Sequence, residues 1–210
     1  CPERSDTPAF FLDNAFHSPR FAAMQGSPFS LKCSVPAVRL WVVNDAPPRD
    51  EGRFVLYWMT AARRTRWNFA LQRAANWARA LNKPLWIVEP LPLGGQWRND
   101  RRHKFILDGM ADNAARLDGK PAGYHPFVER KPGETQALLD VLARDASVIV
   151  GDAHPMQLHA MPPCSPAVRC EVADGNGLLP LCMADRAFAR AVDFRRFLQR
   201  VLPDHLPAAP

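Results

Sequence analysis

The sequence contains no apolar run close to the roughly 20 residues that a membrane-spanning helix needs, so nothing in it reads as a transmembrane segment. Its first residues, Cys1 to Asp13, lack the basic start and long apolar stretch of a secretory signal. A soluble, cytoplasmic protein is the expectation. Cysteine is scarce: Cys1, Cys33, Cys164, Cys170 and Cys182 are an odd number with no C-x-x-C pair. That speaks against a disulfide framework or a zinc site and for reduced, mostly structural thiols. The histidines are scattered, and His154 and His159, five apart across a proline, make a poor ligand pair, so no metal is expected. Neither G-x-G-x-x-G nor G-x-x-x-x-G-K-S/T occurs, which argues against a standard dinucleotide or P-loop site. No G-x-S-x-G elbow occurs either, and Cys170 falls inside an expected strand, where a thiol is buried and inert. No residue is assigned a catalytic role.

What the chain does have is basic charge and proline. Its net charge is +6, its pI is near 9.4, and 21 of its 210 residues are proline. A basic balance suits nucleic acid as a partner, although arginine-rich proteomes give ordinary enzymes the same balance. At 47% hydrophobic and 23% charged, the chain is long enough for one α/β domain with a sizeable core and spare length at its ends. Pro2, Pro8, Pro19, Pro28, Pro36, Pro47 and Pro48 interrupt every apolar run in the first fifty residues. Residues 1–50 therefore read as a poorly structured lead-in, in which only Ala37–Val43 resembles a short strand.

From Arg53 onward the pattern is regular. Phe54–Trp58 is a compact β-branched and aromatic run and reads as a buried strand. Thr65 to Asn82 reads as a helix, with Trp67, Ala70, Leu71, Ala74, Trp77, Ala78 and Leu81 inward and Arg66, Arg73, Asn76 and Arg79 outward. Leu85–Val88 gives a second strand, and Arg101 to Asp118 a second helix with Ile106, Met110, Ala114 and Leu117 inward. Tyr124–Val128 is a third strand, Pro132 opens a third helix, and Ser147–Gly151 and Val168–Ala173 are the fourth and fifth strands. Asp185 to Leu202 closes the chain as a helix. This alternation argues for a doubly wound, parallel five-stranded sheet with helices on both faces. A ligand then belongs beyond the carboxyl ends of the strands.

The loops at those ends carry the candidate site. After the first strand, Arg63, Arg64 and Arg66 stand at a helix N-terminus, where amides and dipole favour an anion; a solvated basic turn is the plain alternative. After the second strand comes Glu89, then Arg98, Arg101, Arg102 and Lys104, a setting more typical of a structural ion pair than of a catalytic acid. Asp152 and His154 follow the fourth strand, where a ligand-contacting pair would stand. Trp58, Trp67, Trp77 and Trp86 fall on core positions, although aromatic walls would also suit a flat pigment.

Several of these stretches resemble the photolyase/cryptochrome family. Val55-Leu-Tyr-Trp-Met-Thr60 followed by Trp67-Asn-Phe-Ala-Leu71 resembles its first strand and helix, most closely the class II branch, where Y-W-M-S precedes D-N-W-A-L. Pro84–Val88 fits the second strand, and Arg102-His-Lys-Phe-Ile-Leu-Asp-Gly-Met110 resembles an R-x-x-F-x-L-x-G-L helix. Val148–Asp152 with Pro155 resembles V-V-x-D-x-x-P, and Glu171–Pro180 resembles a strand ending V-D-x-N-x-x-V-P. The likeness spans about Arg53 to Leu202. Trp67 stands where the family has aspartate, Cys182 where it has tryptophan, and residues 1–34 match nothing in it.

The resemblance implies a Rossmann-like antenna domain over residues 51–202, with 203–210 leading towards a helical domain that binds FAD. In the family, light drives an electron from reduced flavin to a cyclobutane pyrimidine dimer in damaged DNA. A deazaflavin or folate antenna pigment feeds the flavin with excitation energy. On this reading the chain lacks the flavin half, FAD belongs only to that half, and the chain is inactive in repair by itself. Strand-end logic together with the match picks Met59, Arg64, Asn68, Glu89, Arg102, Phe105 and Asp152 as pigment contacts. Two alternatives compete: a stand-alone nucleotide-binding α/β domain, and a basic nucleic-acid-binding module without pigment.

Overall fold

Short strand-forming runs alternating with helices leave the backbone one economical solution: pair the strands side by side and cover both faces. The computed structural model describes residues 33–94, 99–153, 167–184 and 186–207. Its strands are β1 (Leu40–Val42), β2 (Phe54–Trp58), β3 (Leu85–Leu91), β4 (Ala122–Val128), β5 (Ala146–Ala153) and β6 (Arg169–Asp174). Its helices are α1 (Phe69–Leu81), α2 (Asp100–Leu117), α3 (Glu134–Asp145) and α4 (Ala191–Val201). The strands form one sheet in the order β1-β6-β5-β2-β3-β4, parallel throughout except for β1.

The sheet thus has six strands where the sequence pattern predicts five. The sixth comes from the proline-rich lead-in, antiparallel to β6 in the register Leu40↔Ala173, Trp41↔Val172, Val42↔Glu171. The strand-like run Ala37–Val43 contains it, but a run this short does not show where it pairs, and side chains hold it in place. Asn44 donates to the Val168 carbonyl (2.7 Å) and accepts from the Cys170 amide (3.1 Å). The buried Arg39 guanidinium donates to the carbonyls of Asp174, Gly177 and Leu178.

Alternate residues of each strand face opposite layers. Val55, Tyr57, Ile87, Val148 and Val150 pack against Phe69, Ala70, Ala74 and Trp77 of α1, with Leu117 of α2 beside them. On the other face Leu56, Trp58, Val88 and Ile149 pack against Leu139 and Ala143 of α3. The helices therefore cover both faces. From β2 the chain builds outward through β3 and β4, then returns to lay β5 and β6 on the other side of β2. The winding direction reverses between β2 and β5, the switch point at whose carboxyl end folds of this class place a ligand crevice.

Two expectations about side chains change. Trp67 is 66% exposed rather than a core residue, because α1 starts later than the periodicity suggests: Asn68 is its N-cap and Trp67 precedes it at φ 52°. Trp86 is likewise 42% exposed, whereas Trp58 and Trp77 are buried. Arg73, expected on the solvated face, is buried against Glu171 at 2.6 Å. Cys170 is buried in β6 but disulfide-bonded, so the five cysteines are not all reduced thiols; Cys33 and Cys182 are free.

Candidate functional site

Asp152 ends β5 beside the carboxyl end of β2, and its carboxylate organises the loop that follows β2. Oδ2 accepts the amides of Thr60 (2.9 Å), Ala61 (2.8 Å) and Ala62 (3.0 Å), and Oδ1 accepts the Tyr57 hydroxyl (2.8 Å). Burial raises the Asp152 carboxyl above its ordinary value, while the three amides and Tyr57 pull it down. The same burial, with the Asp152 charge second, raises the Tyr57 phenol well above its usual range, so it remains a donor. Asn68 completes the knot. Its amide donates to the Tyr57 hydroxyl and to the carbonyls of Ala62 and Arg64, all at 2.9 Å, and its oxygen caps α1 at the Leu71 amide.

A second knot forms around Glu89. Strand β3 runs on to Leu91, so Glu89 lies inside the strand rather than in the loop after it. It is fully buried and accepts from Arg63 (3.1 Å), Asn113 (2.9 Å) and the Tyr124 hydroxyl (2.7 Å). Arg63 is thereby a structural ion pair, and its other nitrogen donates to the Pro90 carbonyl at 2.6 Å. Met59 is buried beneath, 3.9 Å from the Asn113 side-chain nitrogen. Burial, then the hydrogen bond and charge of Glu89, raise the Tyr124 phenol above its usual value.

The pattern repeats at the remaining loops. Glu129 accepts the amides of Leu93 and Gly133, and Asp174 accepts those of Asn176 and Leu181. Asp152, Glu129 and Asp174 are thus spent on holding loops, and Glu89 on the Arg63, Asn113 and Tyr124 side chains. What stays free at this rim is cationic and aromatic. Arg66 is exposed, and so are Arg102 and Phe105 at the start of α2, Phe105 by 79%. Arg64 spans the crevice, donating to the Trp67 and Gly175 carbonyls.

Of the seven residues proposed as ligand contacts, the structure brings Asn68, Arg64 and Asp152 together around one loop, and Met59 with Glu89 around Asn113. Arg102 and Phe105 stand apart on α2. Arg98 and His154 lie outside the described residues. Sequence reasoning missed Tyr57 in the first knot and Asn113 and Tyr124 in the second; Asn113 also donates to the Arg63 carbonyl at 3.4 Å. Asn113 had a legible signal: a polar residue on the inward Ile106–Met110–Leu117 stripe of a helix. Among the described residues no group of three His, Cys, Asp or Glu side chains suits a metal ion, and no helix is long and apolar enough to cross a membrane.

No family model matches the chain. It is 33% identical over 118 residues to a deoxyribodipyrimidine photo-lyase of Methanothermobacter thermautotrophicus. The match covers 56% of this chain and 26% of that protein, so this chain corresponds to about a quarter of the relative's length.

Proposed function

We propose that this chain is a photolyase-type antenna domain of the class II branch: a Rossmann-like α/β unit that holds a light-harvesting deazaflavin or folate. The observation that carries this reading is the 33% identity over 118 residues to a photo-lyase, in a chain that folds as an α/β sheet whose strand order reverses between β2 and β5. Light-driven repair of cyclobutane pyrimidine dimers in DNA, and the FAD it requires, are proposed of the whole photolyase-type protein.

The residues at the rim fit such a pigment unequally. A planar conjugated ring with an anionic edge suits the exposed Phe105 ring and the Arg102 guanidinium, and Arg64 at the crevice is a second cation. Asp152, Asn68 and Glu89 have their side-chain oxygens committed to the fold. Their part in this reading, with buried Met59, is to fix the loop and strand end against which a pigment lies. Bound there, the pigment would absorb light and pass on its excitation energy.

The test is an absorption spectrum of the purified chain after incubation with deazaflavin, folate and FAD in turn, followed by gel filtration. A deazaflavin or folate band that co-elutes with the protein is the expected result, reduced in a Phe105→Ala, Arg102→Glu variant of unchanged melting temperature. A bare protein spectrum in all three cases overturns the antenna role and leaves the fold intact.

A further inference from the structure

A groove of about 580 Å³ runs along the outer side of α1, away from Arg102 and Phe105. Its floor is the apolar Leu71 and Ala75, its ends carry Arg66 and Arg79, and Trp67 forms one wall. Two features set it apart from an ordinary helix surface.

The first is Trp67. A tryptophan at φ 52° is uncommon, because its Cβ crowds the backbone in the left-handed region. The conformation is fixed from outside: Arg64 donates to the Trp67 carbonyl at 3.0 Å, and the next residue is locked as the α1 cap. The backbone thus holds a large aromatic ring out in solvent, where its own burial contributes little. The second feature is charge. Among the described residues no carboxylate lines the groove, Arg66 makes no ion pair, and Arg79 reaches only the Asn76 side-chain oxygen at 3.5 Å.

We infer that this groove binds a mononucleotide: a planar heteroaromatic base carrying a phosphate. The volume lies within the roughly 300–1,000 Å³ range of small-molecule sites. The base stacks on the Trp67 indole, and the phosphate meets the guanidinium of Arg66 or Arg79. The absence of a glycine-rich loop does not weigh against this site, because the phosphate is held by side chains rather than by a cradle of backbone amides. The inference stands independently of the pigment reading, whose contacts lie on α2 and in the crevice.

Equilibrium dialysis of the full chain against AMP and adenosine tests it. Saturable AMP binding is expected, with adenosine weaker by roughly tenfold or more. Trp67→Gly removes the ring at a φ that glycine adopts freely, so the variant should melt no lower than the parent yet bind AMP roughly tenfold more weakly. An Arg66→Ala, Arg79→Ala double variant should lose the preference for AMP over adenosine. The inference is overturned if AMP does not saturate the chain below about 10 mM, a ceiling set well above the weakest useful affinities. It is equally overturned if both variants bind AMP like the parent, or if a single-stranded oligonucleotide binds where AMP does not.

Discussion

Four bonds converge on Glu171. Arg73 reaches it twice, at 2.6 and 3.1 Å, Arg169 at 2.8 Å and the Trp77 indole N–H at 2.8 Å, all within a buried layer. Burial acts to raise this carboxyl, but the bonds and charge of Arg73, then Trp77 and Arg169, take it below its ordinary value. A depressed carboxylate binds its proton less tightly in the fold than in the unfolded chain. Its contribution is therefore complete above the unfolded value near 4.3 and is lost as pH falls through the lower folded value. Asp152 and Asp174 run the other way: burial raises both, so the fold takes up those protons first as pH drops. Glu171→Gln leaves two guanidinium groups buried without a counter-charge and is expected to cost about 3–5 kcal/mol at pH 7. The cost should shrink below pH 4, where the carboxyl of the unfolded chain, near 4.3, takes up its proton before the folded one does. Urea melts at both pH values check this, and a cost under about 1 kcal/mol at pH 7 would fit a neutral hydrogen bond instead.

At the scale of elements, the amino end of the sheet is as constrained as the carboxyl end. Lys83, just after α1, donates to the carbonyls of Arg49 and Gly52 and to the Ser147 hydroxyl, tying the lead-in to β5. Gly52 sits so close to Ser147 that a Cβ there would lie 2.5 Å from its backbone nitrogen and 2.6 Å from its Cα. Backbone cannot move aside as a side-chain tip can, so Gly52→Ala is expected to destabilise by about 1–3 kcal/mol, read as a lower denaturation midpoint with an unchanged slope. The five parallel strands were legible as short runs bounded by turn residues, although β4, at the sheet edge, has no buried residue. β1 was legible as part of the Ala37–Val43 run, but its antiparallel place comes from Asn44 and Arg39 reaching across to β6 and the loop after it. Helix α1 shows the same division. Its apolar stripe predicted the helix and its inward Ala74 and Trp77, but the N-cap at Asn68 put Trp67 outside and Glu171 drew Arg73 inside.

For the whole molecule, the reversal of strand order between β2 and β5 decides where loops gather, and the helices on both faces follow from it. Helix α4 is the exception to this layering. None of its residues is buried, and Phe194 and Phe197 pack with Phe188 rather than with the sheet. Deleting residues 187–210 is accordingly expected to lower the melting temperature by less than about 4 °C, the shift that 1 kcal/mol produces in a chain of this size. Circular dichroism on heating measures it, and a drop beyond about 10 °C would mean that α4 shields the core.

By itself the sequence determined the class of fold, since strand and helix periods are properties of neighbouring residues and need no partner to be read. It also marked Glu89 and Asp152 at strand ends and the arginines around them. Only the tertiary structure decided what those groups do, because a carboxylate's role depends on which donors the fold brings within 3 Å of it. Buried acceptors must be satisfied, and here backbone amides, Tyr57, Asn113 and Arg63 satisfy them. The acidic groups are consumed internally, and the rim is left to arginines and exposed aromatic rings.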